Sequence, residues 1–284
     1  MNSGDSSATK CDLCQSTQSS FLFAAQDGHY VRCGNCGLIY GIAGKNNLSG
    51  LYDGLLESKQ KTGKRSERWL DKTAIRLRFL NKWKSTGKLL EIGCGWGDFL
   101  NAASREGWKT TGIEISGAAA QKARDLYGLE VLAGPVETEA HKLPAGDFDV
   151  VWAANLLEHL TSPAIFFRAV QQLLRRGGVL FASTLNYDSW AFRMSASQWQ
   201  YCSRPQVHRF IFGPDTLNKY CGENHLKIVR LKTFGFRFVS KRKGGKWLKF
   251  LIRPAENLIG SAAHLAGKGH RIEILAEKRS DGPP

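Results

Sequence analysis

The hydrophobic pattern of the chain changes character twice, near residues 50 and 87. Residues 1–50 carry short apolar runs with aromatic residues, which predict a two- or three-stranded ribbon. Residues 51–86 carry apolar positions at helical spacing, which predict a basic helical linker that packs against the following domain. The apolar positions of this predicted helix are Trp69, Ala74, Ile75, Leu77, Leu80 and Trp83.

Residues 87–284 alternate between strand patterns and helical patterns, and we assign them to one domain. Such alternation predicts an α/β fold with a doubly wound sheet, whose ligand crevice lies at the carboxyl ends of the strands. The predicted strands are one that ends before Pro135 and others at about 88–92, 109–114, 147–151, 179–184, 226–231 and 271–276.

Four cysteines in the first part form two pairs, Cys11 with Cys14 and Cys33 with Cys36, each with two residues between the cysteines. Eighteen residues separate the pairs, a spacing that is typical of four-thiolate zinc sites. Because four thiolates complete the tetrahedral coordination of zinc, the predicted site is structural. Residues 1–50 are therefore predicted to form a zinc ribbon, and the alternative is four unrelated free cysteines.

Composition and charge narrow the class of protein. Of 284 residues, 42% are hydrophobic and 23% charged, which is typical of a globular protein, and no apolar run is long enough to span a membrane. The first ten residues are polar, so we expect no secretory signal and a cytoplasmic location. The net charge of +15 is concentrated in the flanks, with +7 over residues 51–88 and +11 over residues 188–284. This charge favours an anionic partner, such as nucleic acid, a membrane surface or a phosphorylated small molecule.

A glycine turn follows the first strand of the α/β part, with Gly93, Gly95 and Gly97 at alternate positions after Glu91. Glycines there let the backbone approach a ligand closely at the start of a helix. The turn lacks the Gly-Lys-Ser/Thr of a phosphate-binding loop, and Asp98 stands where a dinucleotide fingerprint has its third glycine. Both of those ligand classes are therefore disfavoured.

An acidic residue and two later motifs follow the glycine turn. Glu114 ends the second strand, where a carboxylate can accept hydrogen bonds from both hydroxyls of a ribose. Two later motifs are Asp147-Phe148-Asp149-Val150-Val151 and Leu156-Leu157-Glu158-His159-Leu160. In this order and spacing, the chain resembles the class I S-adenosylmethionine-dependent methyltransferases, in particular the subgroup of ubiquinone-biosynthesis O-methyltransferases and sugar or natural-product methyltransferases. The resemblance covers residues 80–235 and a final strand at 271–278.

This resemblance implies a seven-stranded Rossmann-like sheet with an antiparallel last strand, and S-adenosylmethionine as the cofactor. Glu114 would hold the ribose, and Glu137 is the candidate for a contact with the adenine amine. The residues implied for the cofactor site are Glu91, Gly93, Cys94, Gly95 and Gly97 at the methionine part, Asn155 and Leu156 at the sulfonium, Glu114 at the ribose, and Pro135 and Val136 at the adenine.

Two histidines are candidate bases that would take a proton from the methyl acceptor. His159 follows the fourth strand beside the predicted crevice, and its alternative is a structural role in capping or packing. His208 lies in a segment at about 186–220 that contains aromatic residues and arginines, and that resembles the substrate-covering segments of the family. The Pro205-Gln206-Val207-His208-Arg209-Phe210 run resembles an element of the subgroup, which slightly favours a functional over a structural His208.

Residues 237–268 form a basic amphipathic insertion that contains Trp247. The pattern, together with the resemblance to membrane-associated quinone methyltransferases, is compatible with a peripheral contact on the inner membrane face. The alternative, which we favour, is a solvated face whose apolar side covers the active site or a dimer partner. The sequence leaves the oligomeric state open.

Three functions compete at this stage. The leading prediction is a methyltransferase for a small molecule, preferably a sugar, a sugar nucleotide or a lipid-linked precursor from envelope-polysaccharide or natural-product synthesis, anionic if phosphorylated. The alternative is an RNA base methyltransferase, which the ribbon and the basic charge favour; the stretch Asn155-Leu156-Leu157-Glu158 opposes it, since it lacks the Asn-Pro-Pro-Tyr type of motif. The third is a non-enzymatic zinc-ribbon binding protein with a degenerate core.

Overall fold

The computed structural model describes residues 9–43, 67–83, 86–199, 201–236, 256 and 258–279. The strands, numbered in chain order, are β1 Ser19–Ala25, β2 Gly28–Cys33, β3 Ile39–Ala43, β4 Lys88–Ile92, β5 Lys109–Glu114, β6 Glu130–Ala133, β7 Phe148–Ala154, β8 Leu174–Leu185, β9 Phe210–Ile211, β10 Leu226–Phe234 and β11 Arg271–Lys278. The α-helices are α1 Glu67–Trp83, α2 Asp98–Arg105, α3 Gly117–Tyr127, α4 Val136–Glu139, α5 Pro163–Leu173, α6 Trp190–Ser195, α7 Pro214–Glu223 and α8 at 258–265. Short 3-10 helices lie at Ala140–Lys142, Leu157–His159 and Ala196–Gln198.

The larger sheet has seven strands in the order β10-β11-β8-β7-β4-β5-β6. The five strands from β4 to β8 pair in parallel, whereas β11 runs antiparallel to both β8 and β10. The chain passes from β4 outward to β5 and β6 and then returns to β7, so the direction of winding changes between β4 and β7. A ligand crevice is expected outside the carboxyl ends of strands at such a change. The predicted α/β doubly wound sheet and its antiparallel last strand are confirmed.

Helices cover both faces of this sheet because neighbouring residues of its central strands enter opposite cores. In β7, Val151 belongs to the core under α5 and α7, while Trp152 belongs to the core under α1, α2 and α3. Trp152 stacks on Phe181 of β8 with ring centroids 3.8 Å apart. Strands that are buried on both faces are expected in a largely parallel sheet.

Helix α1 packs against the α/β core as predicted, through Leu77 and Leu80. The predicted apolar stripe is wrong at two large residues, Ile75 and Trp83, which are 60% and 45% exposed, and Ala74 is exposed as well. A helix with 3.6 residues per turn buries only the positions on one face, and these residues point away from it.

The smaller sheet has the order β1-β2-β3-β9. Its first three strands form the predicted ribbon, but its fourth strand, Phe210–Ile211, comes from the segment at about 186–220 that was predicted to cover the substrate. The ribbon also docks through Asp12, whose carboxylate accepts hydrogen bonds from the Ser162 hydroxyl at 2.6 Å, the Ala164 N–H at 2.8 Å and the Tyr220 hydroxyl at 2.8 Å. The ribbon therefore contacts the rest of the protein at two places, through the pairing of β3 with β9 and through Asp12.

The basic insertion is described only in its last part, since residues 237–255 and 257 lie outside the described residues. Within the described part, α8 exposes Leu258 and Leu265, at 76% and 87%. Among the described residues no helix combines the length and the apolar character needed to cross a bilayer.

Candidate functional site

The glycine turn between β4 and α2 passes through left-handed backbone conformations at Gly95 and Gly97, with φ angles of 57° and 75°. A Cβ on Gly97 would lie 2.5 Å from Leu129 Cδ1, so both conformation and space require glycine there. A Cβ on Gly95 would have no atom within 4 Å. The turn therefore presents bare backbone toward open space at Gly95.

Glu114 holds this turn from the end of β5. Its Oε2 accepts a hydrogen bond from the Gly95 N–H at 2.7 Å, and its Oε1 accepts one from the Ser116 N–H at 3.0 Å. The Gly93 N–H in turn donates to the Ile113 carbonyl at 2.8 Å. The carboxylate predicted to hold a ribose thus stands beside the open side of the turn.

Glu91 and Cys94 lie beneath the turn. Burial raises the pKa of Glu91 to about 8, although Arg76, whose Nη1 lies 3.7 Å from Glu91 Oε1, acts to lower it. Glu91 Oε2 is buried without a hydrogen-bond partner among the described residues. Burial also raises the pKa of the Cys94 thiol, whose Sγ lies 2.8 Å from where a Cβ on Gly112 would be. Cys94 is therefore a neutral thiol packed against β5.

Pro135 and Val136 lie where β6 gives way to α4, and Val136 is buried. Glu137, the candidate for the adenine amine, is engaged elsewhere. Its Oε1 accepts hydrogen bonds from the backbone N–H groups of Thr161 and Ser162 at 3.1 and 3.3 Å. Glu137 thus anchors the loop that follows the 3-10 helix at Leu157–His159.

Asn155 and Leu156 connect the turn to the rest of the site. Leu156 Cδ1 lies 3.0 Å from where a Cβ on Gly93 would be, so this side chain packs on the glycine turn. Asn155 adopts a left-handed conformation with φ 55°, and its side-chain oxygen accepts a hydrogen bond from Arg271 of β11. Leu156 thus places a hydrophobic group next to the predicted cofactor crevice, and Asn155 holds the guanidinium of Arg271 there.

The structure brings His159 and His208 together, with ring centroids 4.9 Å apart. His159 Nδ1 lies 2.7 Å from the Val207 carbonyl oxygen. Because a carbonyl only accepts, Nδ1 carries the proton and the lone pair of the neutral imidazole is at Nε2. Burial and, to a smaller extent, the neighbouring His159 lower the pKa of His208 to about 4, against the opposite effect of Glu158.

Tyr201 belongs to the aromatic residues of the predicted substrate-covering segment, whereas Glu158, His270 and Arg271 were not proposed as site residues from the sequence. The ring of Tyr201 lies 5.8 Å from that of His208 and stacks on that of His270 at 6.1 Å. Buried Glu158 accepts a hydrogen bond from the Thr184 hydroxyl at 2.7 Å. One signal could have identified His270 and Arg271: an antiparallel last strand begins at the edge where the parallel strands end, so its first residues face the crevice.

The lowered pKa of His208 predicts a pH-dependent stability. Between pH 7 and pH 5 the unfolded chain binds a proton at this histidine, with an ordinary pKa near 6.5, while the folded chain does not, so unfolding becomes easier as the pH falls. We expect wild type to lose about 2 kcal/mol more stability over this range than His208→Gln. Urea unfolding of both proteins at the two pH values measures the difference. Equal losses would show that His208 takes up its proton normally in the folded protein.

The four cysteines of the ribbon converge, and all four Sγ atoms lie within 4.8 Å of one another. The shortest separations are 3.4 Å between Cys11 and Cys36 and 3.5 Å between Cys14 and Cys33. Desolvation acts to raise the pKa of Cys33, but hydrogen bonds from the backbone of Cys36 and Asn35 bring it down to about 7. Four converging sulfur donors fit a tetrahedral structural zinc.

The crevice likewise fits an adenosyl cofactor that carries a positive charge. The backbone at Gly95 is open to a ligand, and Glu114 stands beside it. The buried oxygen of Glu91 that has no described partner needs a donor, which an ammonium group of a ligand supplies. A polyphosphate would meet the carboxylate of Glu114 at this turn, without the Gly-Lys-Ser/Thr of a phosphate-binding loop.

Comparison with known proteins agrees with this geometry. A family model described as "Methyltransferase domain" matches residues 63–231. A ubiquinone biosynthesis O-methyltransferase from Nitrosococcus oceani is 30% identical over 185 residues, which are 61% of this chain and 78% of that protein. A protein of the same name from Azoarcus sp. is 31% identical over 164 residues, 54% of this chain and 70% of that protein.

Solved structures show the same fold. A SAM-dependent methyltransferase from Archaeoglobus fulgidus, 20% identical, superposes with a TM-score of 0.56 over 80% of this chain and all of that one. Phosphoethanolamine N-methyltransferase 2 from Haemonchus contortus, solved in complex with S-adenosylmethionine and 13% identical, has a TM-score of 0.56 over 85% of this chain and 62% of that one. The family match spans more than half of the chain, and the relative from Nitrosococcus oceani is 30% identical over 78% of its own length. The chain therefore belongs to the methyltransferase domain family and is an S-adenosylmethionine-dependent methyltransferase.

Proposed function

We propose that this methyltransferase acts on a hydroxyl oxygen of a ring-shaped small molecule, a sugar, a sugar nucleotide or a lipid-linked precursor, held between the glycine turn and the two histidines. One observation carries the proposal: His159, whose ring pairs with that of His208, donates its backbone N–H to the carbonyl of Leu156 at 2.8 Å, and Leu156 itself packs on Gly93. A proton acceptor therefore stands next to the cofactor crevice, where oxygen transfer needs one.

The cofactor supplies an activated methyl group, and its thioether leaves without charge. No acid is needed for departure, so the protein has two tasks: to hold the acceptor in line and to remove its proton. In the proposal, Glu114 holds the ribose and Glu91 the amino-acid end. Gly93, Gly95 and Gly97 with Cys94 shape the methionine part, and Pro135 with Val136 borders the adenine.

Of the two histidines, His159 is the better base in this proposal. Its Nδ1–H is committed to the Val207 carbonyl, which leaves the basic lone pair at Nε2 and holds the ring in one orientation. His208, with a pKa of about 4, is neutral at pH 7 but too weak a base for efficient transfer at that pH. His208 instead hydrogen-bonds and orients the acceptor.

The surroundings support a ring-shaped acceptor that carries negative charge. The rings of Tyr201 and His270 stack next to His208, and stacked rings form a flat wall against which another ring can pack. Arg271 brings a positive charge to the same place through its bond to Asn155. A phosphate or carboxylate on the acceptor would be attracted to this guanidinium.

A second acceptor is favoured by the comparisons. The two relatives described above are named for ubiquinone biosynthesis, so a ubiquinone precursor is the other candidate. A screen with S-adenosylmethionine labelled in its methyl group, using one panel of sugars and sugar nucleotides and one of phenolic quinone precursors, decides between them. Label in the first panel supports the proposal, and label confined to the second replaces its acceptor class.

With an acceptor identified, single-turnover kinetics test the base. We expect His159→Ala to slow methyl transfer roughly 10²- to 10⁴-fold, because positioned bases contribute that much, and His208→Ala to slow it at least about 10-fold. His141→Ala, at an exposed position, is the matched control and should leave the rate unchanged. A His159→Ala variant that transfers methyl as fast as wild type would refute the assignment.

The findings bear differently on the other functions and on the membrane contact that the sequence left open. An RNA acceptor finds no support in the names of the relatives described above. The non-enzymatic alternative is not borne out, since the chain belongs to a methyltransferase family and its glycine turn is intact. A peripheral membrane contact through residues 237–268 stays a prediction.

A further inference from the structure

Three successive carbonyl groups of the His208 segment are held from two directions. The carbonyl of Val207 lies 2.7 Å from His159 Nδ1 on the crevice side. The carbonyl of His208 accepts a hydrogen bond from the Tyr30 hydroxyl at 2.7 Å, and the carbonyl of Arg209 accepts one from the Gly41 N–H at 2.8 Å. Two of the three partners therefore come from the ribbon.

The peptide group that joins His208 to Arg209 is fixed on both sides. Its carbonyl oxygen bonds Tyr30, and its N–H donates to the Glu158 carbonyl at 2.7 Å. Tyr30 is completely buried, so water does not compete for this bond. Its ring belongs to the apolar cluster that joins the ribbon to the covering segment, formed by Phe23, Tyr30, Ile39, Leu185, Phe192, Trp199, Cys202 and Ile211.

Pairing of the two segments continues beyond this peptide group. Tyr40 pairs with Phe210 and Ile39 with Ile211, as β3 accepts β9 at its edge. The approach is close, since a Cβ on Gly41 would lie 2.6 Å from Pro205 Cβ. The register of a strand pair determines which side chains face each side of the sheet, and His208 lies two residues before Phe210, the first residue of this pair.

We propose that Tyr30 of the ribbon is a positioning residue of the methyl-acceptor site, and that its hydroxyl, bonded to the His208 carbonyl, fixes the place of the His208 imidazole beside His159. The catalytic consequence rests on the function proposed above, but the structural dependence does not. The ribbon thereby contributes to acceptor placement in addition to holding its metal. No part of the proposal changes the residues assigned to the cofactor.

Tyr30→Phe tests the proposal because it keeps the ring and removes only the hydroxyl. Tyr40→Phe is the matched control: Tyr40 is also a buried tyrosine of the ribbon, but its hydroxyl donates to the Thr9 carbonyl at 3.4 Å. In Tyr30→Phe we expect the hydrogen-exchange protection of the Arg209 amide to fall roughly 5- to 10-fold, as the loss of one buried hydrogen bond predicts. The imidazole NMR signals of His208, assigned with His208→Gln, should shift in the same variant.

Calorimetry with S-adenosylhomocysteine shows that the variants are folded, and affinity should stay within about 2-fold of wild type in both. With an acceptor known, Tyr30→Phe should lower kcat roughly 10-fold with an unchanged KM for S-adenosylmethionine, and Tyr40→Phe should change neither. Equal exchange rates and His208 signals in the two variants would overturn the proposal. The exchange and NMR measurements need no acceptor, so they test this proposal independently of the assignment of His159 as the base.

Discussion

Replacing Glu114 with alanine is expected to weaken the binding of S-adenosylhomocysteine at least about 100-fold. Hydrogen bonds to a charged acceptor contribute about 1.5–3 kcal/mol each, and a ribose offers two hydroxyl donors. The substitution also removes the acceptor of the Gly95 and Ser116 N–H groups, so the glycine turn loses its support. Both effects act in the same direction, and isothermal titration calorimetry measures their sum.

The control for this experiment is Glu130→Ala, which removes an exposed carboxylate at the opposite end of the neighbouring strand, where Glu130 pairs with Thr111. It should bind S-adenosylhomocysteine like wild type. Glu114→Gln should weaken binding as well, because its one amide oxygen can accept from only one of the two backbone N–H groups, while its NH2 group faces the other. Unchanged affinity in Glu114→Ala would mean that the crevice holds its cofactor without this carboxylate, contrary to the site proposed here.

Replacing Cys33 with serine is expected to abolish stoichiometric zinc and to lower the unfolding temperature markedly. Structural zinc sites contribute about 10–16 kcal/mol of apparent binding free energy at pH 7, and that energy supports the fold around them. The effect should extend beyond the ribbon, because Cys11, Cys33 and Cys36 share one apolar core with residues of α5 and α7. Metal analysis of the purified protein and a thermal scan measure the two changes.

Cys221→Ser is the matched control for the loss of zinc. Cys221 is as buried as the ligands but lies in α7, outside the four-sulfur cluster. This variant should keep about one zinc per chain, the stoichiometry of a four-thiolate site. A Cys33→Ser protein with the same zinc content as wild type would show that the cluster is not the metal site.

Local patterns predicted those parts of the protein that depend on neighbouring residues in the chain. The glycine turn, Glu114 at the end of β5 and the start of α2 at Asp98 lie where their spacing indicated. These features follow from backbone conformation and from the alternation of buried strands with helices. The same reasoning failed at Ile75 and Trp83, because apolar residues near a helical stripe are not all on its buried face.

The contacts that the local patterns did not predict join residues that are far apart in the chain. Tyr30 reaches the carbonyl of His208, and Phe210–Ile211 joins the ribbon sheet as its fourth strand. No periodicity in residues 1–50 indicates a partner so distant in sequence. A two-residue strand gives almost no pattern of its own, so its pairing was decided by the packing of the covering segment.

The sequence by itself therefore indicated the four cysteines of the ribbon and the glycine turn with Glu114, because these follow from short spacings that constrain backbone and donor atoms directly. The cofactor class followed from the family resemblance that these motifs carry. Only the tertiary structure decided that His159 and His208 face each other, that Arg271 reaches Asn155, and that Tyr30 of the ribbon bonds the carbonyl of His208. The physical reason is that such contacts depend on how whole elements pack, and many different sequences of the intervening segments would satisfy the same local rules.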